Sequence, residues 1–257
     1  MLRLRGPLPK PIRSTLLQVL SHRPHHHHHF STMPPLEKKQ EPAITSLTDL
    51  QTSDSKWVGL KQIRYTDAAG TPRTWEVAVR KTRSPPITTP LSSTVDSVAV
   101  DAVAMGNVFV HPSRAPTTLV VIQYRPPLDA YTVEWPAGLV DAGETAAQAA
   151  EREFREETGY SCEVVSVSAP QAADPGMTSA TMRLVMVEVR LPEGEEGGMP
   201  EQRLDDGERI ERVVVPLAEL YDRLVEYSRR DRFIVAAKLF HFAAGMRFAQ
   251  EQKYMKL

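Results

Sequence analysis

The chain has 257 residues, 41% of them hydrophobic, with 31 Lys and Arg against 32 Asp and Glu and a formal net charge of −1. That length can bury one substantial core, or a core with a small extra subdomain, and no apolar run approaches the roughly 20 residues that a membrane helix needs. A single cysteine, Cys162, excludes an intrachain disulfide framework and suits an intracellular, reducing compartment.

The charge is unevenly spread. Residues 1–36 hold five of the 31 bases (Arg3, Arg5, Lys10, Arg13, Arg23) and no acid, leaving 26 basic against 32 acidic residues in the rest. An acidic body of this kind gives no sign of a nucleic-acid-binding surface. The acid-free opening, with Leu16 to Leu20 as a short amphipathic piece, reads either as a mitochondrial presequence or as a disordered basic tail carrying Pro7, Pro9 and Pro11. Met33 offers a second start that would give a cytosolic form. His25 to His29 is a natural low-complexity stretch or a tag remnant, and it lies outside any catalytic assembly. Residues 1–55 are otherwise rich in Pro, Ser and Thr and are read as a leader outside the core.

From Trp57 the pattern becomes that of folded elements. Trp57–Thr66 and Thr74–Arg83 are predicted strands joined through Asp67-Ala68-Ala69-Gly70, a hairpin signal. They make residues 56–95 a hairpin subdomain ahead of a main domain at 96–257. Ser84 to Ser97, with Pro85, Pro86 and Pro90, is a predicted loop. Strands follow at Val98–Val110, Thr118–Tyr124 and Thr132–Trp135. Thr145 and Gln148 form a capping-box pair that starts a helix, Ala-rich sequence propagates it, and Gly159 ends it in a left-handed conformation. Further strands are predicted at Cys162–Val167 and Thr181–Arg190, which makes Cys162 structural rather than a nucleophile. After an acidic, Gly-rich loop from Pro192 to Glu208 come a strand at Arg212–Val215 and helices at Leu217–Arg229 and Phe233–Ala249. The sum is an α/β fold: a mixed sheet between helices, an α/β/α sandwich, with an N-terminal hairpin subdomain.

The chemistry concentrates in the predicted helix after Thr145. Gly138, Glu144, Arg152, Glu153, Phe154, Glu156, Glu157, Gly159 and Tyr160 fill every specified position of G-x5-E-x7-R-E-U-x-E-E-x-G-U, where U is apolar or aromatic. Glu153 and Glu157 are four residues apart and Glu156 is three from Glu153, so the three carboxylates share a helix face. Like charges at this spacing destabilise a bare helix by about a few tenths of a kcal/mol each. The run is therefore either a solvated acidic face softened by Arg152 and Arg155 or a site for a hard cation. Such oxygen ligands suit Mg2+ or Mn2+, which keep several waters and bridge substrate phosphates.

The pattern resembles the Nudix box. The resemblance implies the Nudix fold and hydrolysis of a nucleoside diphosphate linked to another moiety. It implies metal ligation by Glu153 and Glu157, with Glu156 close by and the carbonyl of Ala137 as a backbone ligand. Arg152 is expected to pair with a box carboxylate and orient it.

Outside the box, Tyr124-Arg125-Pro126-Pro127, Val133-Glu134-Trp135-Pro136-Ala137-Gly138 and Asp174-Pro175-Gly176-Met177 are similar to the ADP-ribose and ADP-sugar pyrophosphatase branch, as are Lys56 to Leu60 and Arg73-Thr74-Trp75-Glu76. That likeness runs from about Lys56 to the end of the chain. It implies a homodimer whose adenine clamp takes Trp57 and Trp75 from both subunits; the other reading of these tryptophans is core or interface packing. It also implies Glu76 on the adenine amine, Arg80 and Arg125 on phosphate, Glu134 near the metals, Leu139 contacting substrate by its backbone, and Asp174 at the terminal ribose. The general base in this branch lies on a loop before a late strand, where Glu208 is the match; Asp205, Asp206 or plain loop solvation are the alternatives. Two rival functions stay open: a Nudix hydrolase of another dinucleotide such as NADH, and a catalytically silent module that binds ADP-ribose.

Overall fold

The computed structural model describes residues 41–51, 53–81, 99–192 and 198–251. The first 40 residues of the leader, with the presequence reading, Met33 and the His25–His29 tract, and the predicted loop at Ser84–Ser97 lie outside the described residues. From Pro42 onward the described residues belong to one compact unit.

Strands β1 (Val58–Thr66) and β2 (Pro72–Arg80) form a separate antiparallel hairpin, with Val58 opposite Arg80 and Thr66 opposite Pro72. Its turn is closed by the Asp67 carboxylate, which accepts from the N–H groups of Ala69 and Thr71. Gly70 supplies the left-handed residue there, at φ +81°, a conformation open to glycine at no steric cost. The outer edge of β2 is tied down: Ala78 N–H donates to the Met177 carbonyl, and the Ala78 carbonyl accepts from Ser179 N–H.

The main sheet has nine strands. They are β3 (Ala102–His111), β4 (Arg114–Arg125), β5 (Ala130–Glu134), β6 (Ala137–Leu139), β7 (Glu163–Val167), β8 (Gln171–Ala172), β9 (Thr181–Arg190), β10 (Glu211–Pro216) and β11 (Phe233–Val235). The through-path runs β11-β5-β4-β3-β9-β7, with β10 on β4, β6 on β3 and β8 on β9. β3 with β9 and β5 with β11 are parallel and the other pairs antiparallel, so the sheet is mixed. Helix α1 (Ala146–Thr158) covers one face, and α2 (Leu220–Tyr227) and α3 (Ala237–Gln250) cover the other.

Alternation along β4 divides the two cores, because successive strand residues point to opposite faces. Leu119 and Val121 pack with Ala150 and Phe154 of α1, whereas Val120 and Ile122 pack with Leu224 and Leu239. Each such buried side chain contributes about 1.5–3 kcal/mol. The path of β3 then makes room for the site. Toward its C-terminal end β3 pairs with β4, and toward its N-terminal end with β6. At the fork, the buried Asn107 side chain accepts from Leu119 N–H and donates to the carbonyls of Leu119 and Met105, satisfying groups that a continuous ladder would have paired.

Several boundaries differ from expectation. Phe233–Val235 is a strand rather than the start of a helix, and α3 begins at Ala237. Arg232, at φ +57°, turns the chain there, and Phe233, Ile234 and Val235 align in parallel with Tyr131, Thr132 and Val133. Leu217–Glu219 is a 3-10 turn ahead of α2, and residues 99–101 precede β3 instead of belonging to it. Among the described residues no helix is long and apolar enough to cross a membrane.

Candidate active site

The box helix is fixed at both ends as its sequence requires. Thr145 Oγ1 accepts from Gln148 N–H, and Gln148 Oε1 accepts from Thr145 N–H, so two orphan donors are satisfied reciprocally. Gly159, at φ +79°, closes the C-terminus through a 2.8 Å bond to the Arg155 carbonyl. Phe154 and Ala150 anchor the helix in the core, which turns Glu153 and Glu157 toward β6.

Two contacts lock β6 against those carboxylates. Glu157, only 5% exposed, accepts from Ala137 N–H at 3.1 Å. Since Met105 N–H takes the Pro136 carbonyl, antiparallel alternation turns the N–H and carbonyl of both Ala137 and Leu139 away from β3. The Ala137 carbonyl thus lies on the same edge as the N–H that meets Glu157. Gly138 is where Glu153 crosses the strand: a Cβ there would stand 1.9 Å from the Glu153 carboxyl carbon. A side chain at 138 would push the Glu153 carboxylate out of this position, which accounts for the glycine that begins the box.

Arg152 organises the acidic residues. Its Nε and Nη2 form a fork on Glu144 at 3.0 and 2.9 Å, Nη2 also reaches the Leu139 carbonyl at 3.0 Å, and Nη1 meets Glu153 at 2.9 Å and Glu156 at 3.2 Å. The guanidinium therefore pairs with box carboxylates, and a point-charge ammonium could not reproduce its planar set of donors. Glu144, which sequence reading left out of the site, is its main partner; the Arg152 bond holds the Glu144 carboxyl below its ordinary pKa.

Burial is the largest influence on the two inner carboxylates. It raises Glu153, opposed by Arg152 and reinforced by the charges of Glu156 and Glu208. It pushes Glu157 up to about 8, opposed by the Ala137 N–H and by Arg125 and reinforced by Glu153 and Glu208. Among the described residues no three His, Cys, Asp or Glu side chains close into a metal cage. The donor set nevertheless fits Mg2+ or Mn2+: such ions take one or two carboxylates and complete their shell with water and phosphate oxygens. Mutually repelling, half-desolvated carboxylates are the electrostatic situation that a divalent cation relieves.

Across from the helix, Arg125 and Glu134 bind each other. Arg125 Nε and Nη2 donate to the two Glu134 oxygens at 2.8 and 3.1 Å, and Thr132 Oγ1 also donates to Glu134. Burial works to raise Glu134, yet Arg125 and Thr132 hold it below its ordinary pKa. Two of the five Arg125 N–H groups are spent on this fork, and its charge is felt at Glu157 and Glu208. Residues expected to serve phosphate and metal separately are thus joined in one pair.

Glu208 sits in an exposed turn, Asp205-Asp206-Gly207-Glu208, with Gly207 at φ +85°. Its N–H donates to the Asp205 carbonyl at 3.0 Å and its carboxylate accepts from Asp205 N–H at 3.1 Å. Its charge raises both Glu153 and Glu157, so it lies within electrostatic reach of the box carboxylates. A cavity of about 730 Å3 lies along this loop, lined by Leu204, Glu208 and Arg212 among others.

The hairpin residues are more dispersed. Trp57 is 61% exposed with Lys56 Nζ 4.4 Å from its ring centroid, and Trp75 is 51% exposed with its indole N–H held by the Gly176 carbonyl. Strand alternation puts Trp75 on the face of Val77 and Val79, and Glu76 and Arg80 on the other. Asp174 is exposed and opens the turn whose Gly176 carbonyl fixes Trp75. Within one chain these residues do not converge on a single point.

Sequence reading missed Gln202 and Arg212, whose side chains bind carbonyls at the end of α1; no spacing or motif marks them.

The NUDIX domain profile matches residues 102–236. A Schizosaccharomyces pombe protein described as an uncharacterized Nudix hydrolase is 35% identical over 211 residues, covering 82% of this chain and 96% of that protein. The ADP-ribose pyrophosphatase of Saccharomyces cerevisiae is 36% identical over 204 residues, covering 78% of this chain and 81% of its own length. The ADP-sugar pyrophosphatase of Mus musculus is 30% identical over 204 residues, covering 79% and 87%. With an intact box helix, a glycine against which the Glu153 carboxylate packs, and relatives of this kind over most of its length, the chain belongs to the Nudix hydrolase family.

Proposed function

We propose that this hydrolase cleaves the pyrophosphate of ADP-ribose and related ADP-sugars, giving AMP and ribose 5-phosphate or the matching sugar phosphate. The observation that carries this reading is the set of box-helix carboxylates held against β6 by Arg152 and the Ala137 N–H, in a chain whose near-full-length relatives are named for those substrates. Mg2+ or Mn2+, held by Glu153, Glu157 and the Ala137 carbonyl with Glu156 beside them, would supply neutralisation of pyrophosphate charge and a fixed direction for the attacking water. Glu208 takes a proton from that water as its oxygen bonds to phosphorus and the bond to the bridging oxygen breaks. Arg125 presents the unspent edge of its guanidinium to phosphate while Glu134 holds it in plane. Arg80 adds a second phosphate contact, the Leu139 N–H a backbone contact, Glu76 an acceptor for the adenine amine and Asp174 one for the terminal ribose. A panel of ADP-ribose, ADP-glucose and NADH with Mg2+, scored by AMP release, tests the reading. ADP-ribose should give the highest kcat/KM; turnover confined to NADH would overturn it.

The working unit in this proposal is a homodimer. Ile63 lies opposite Trp75 in the hairpin ladder, and Trp57 is six residues from Ile63, so the backbones of the two tryptophans are about 20 Å apart along the strand. One adenine cannot lie between both rings of one chain. It can lie between Trp75 of one copy and Trp57 of another, and the exposed Ile63 and Tyr65, on the same face of the hairpin as Trp75, supply apolar area for that association. Trp57→Ala and Trp75→Ala should each raise KM more than they lower kcat, since stacking on a base is largely uniform binding. Mixing the two variants after dissociation should restore about a quarter of wild-type sites, because each two-fold mixed dimer carries one intact clamp. No recovery on mixing, with a monomer in light scattering, would remove the shared clamp.

A further inference from the structure

The loop that carries Glu208 is fastened to the C-terminal end of the box helix by a set of bonds that the chemistry above does not use. A helix leaves its last carbonyls without intrahelical partners. Here the Glu156 carbonyl accepts from Arg203 N–H at 2.8 Å, the Glu157 carbonyl from the Gln202 side-chain amide at 2.6 Å, and the Thr158 carbonyl from Arg212 Nη1 at 2.6 Å. All three donors belong to the segment on either side of Glu208. Two of them also close the segment on itself: Gln202 Nε2 donates to the Ile210 carbonyl at 3.1 Å, and Arg212 Nη1 to the Pro200 carbonyl at 2.6 Å.

We infer that Gln202 and Arg212 are positioning residues, which fix the loop bearing Glu208 to the helix bearing Glu153 and Glu157. The inference rests on the reading of Glu208 as the proton acceptor. Gln202 joins the entry of the loop to its exit and both to the helix, so residues 203–209 form a short closed excursion whose two roots meet at one place. The backbone of Glu157 is itself one of the attachment points. A displacement of α1 therefore carries the loop with it, and the distance between Glu208 and the box carboxylates is conserved. Arg212 adds a cation at the negative end of the helix dipole, where it is favourably placed. Close packing reinforces the joint: a Cβ on Gly159 would meet the Glu201 carbonyl at 2.6 Å, so the loop backbone lies directly on the helix cap.

A double-mutant cycle separates positioning from general structural support. Gln202→Met keeps the length of the side chain and removes both donors. With Mg2+ and ADP-ribose it should lower kcat about 10–100-fold, the cost of a misplacement of about 1 Å, while KM and the Mg2+ activation constant stay within about threefold. In a Glu208→Gln background the same substitution should cost almost nothing further, because the group it positions is already gone. Arg212→Met should behave in the same way. Arg212→Lys should recover most of the activity, since both Arg212 bonds leave a single nitrogen that an ammonium can replace. If Gln202→Met proves unstable in thermal unfolding, the Arg212 pair carries the cycle. Equal losses in the wild-type and Glu208→Gln backgrounds, or wild-type kcat in both donor variants, would overturn the positioning role while leaving the function intact. A Glu208→Gln enzyme of near-wild-type kcat would instead remove the proton-acceptor reading, and the inference with it.

Discussion

Glu208→Gln should lower kcat by about 10²–10⁴-fold, the usual contribution of a positioned general base, with Mg2+ activation and KM nearly unchanged. The reason is geometric. Glu208 acts on the box carboxylates through charge alone, without a hydrogen bond to either of them, and its own turn supplies its backbone partner. Removing its charge leaves the Arg152 network and the Ala137–Glu157 bond as they are. If kcat survives, Asp205, Asp206 or a box glutamate must accept the proton.

Glu157→Gln should have an equally large effect on turnover and the opposite effect on the metal-free fold. Loss of a ligand carboxylate should cost at least about 100-fold in kcat, more than loss of an outer-shell partner, and should shift Mg2+ activation to higher concentration. Stability moves the other way. Glu157 is raised by burial from 4.5 to about 8, so the folded chain holds its proton more tightly than the unfolded chain. A carboxyl shifted in this direction costs progressively more stability as pH rises from its unfolded to its folded pKa, and a constant amount above that. Glutamine keeps an acceptor for the Ala137 N–H and carries no charge. At about pH 9 in a chelator, the variant should melt higher than wild type by about 2–8 °C. A lower Tm together with unchanged Mg2+ activation would take Glu157 out of the ligand set.

Much of this arrangement was legible before any coordinates. The box helix was, because Thr145, Gln148 and Gly159 specify its ends locally, and so were the long strands β4 and β9, whose apolar patterns are continuous. Short elements were not. Ala137–Leu139 has no periodicity of its own and becomes a strand only because the N-terminal half of β3 leaves an edge for it. Phe233–Val235 carries the apolar spacing of the helix that follows, and its pairing with β5 joins residues about a hundred positions apart. Within the site, local spacing marked the carboxylates on α1, since one helix turn brings them together. The Arg125–Glu134 fork depends on the β4–β5 register. The bonds from Gln202 and Arg212 to the end of α1 depend on how a loop some 45 to 54 residues further along the chain folds back. The division of Trp75 from Glu76 across β2 needed only the alternation of a strand, once the strand itself was known.

The closure of residues 203–209 between Gln202 and Ile210 has a consequence for what sets the length of this loop. When both roots of a loop are pinned together, added residues do not have to be accommodated by the sheet or the helix beneath. The entropy of a closed loop grows only with the logarithm of its length, so doubling the insert costs about 0.6 kcal/mol. Added length would therefore leave α1 and β10 in register, and it is the placement of Glu208, not the fold beneath, that holds residues 203–209 to their present length. A change of length there would be read in turnover and not in thermal stability.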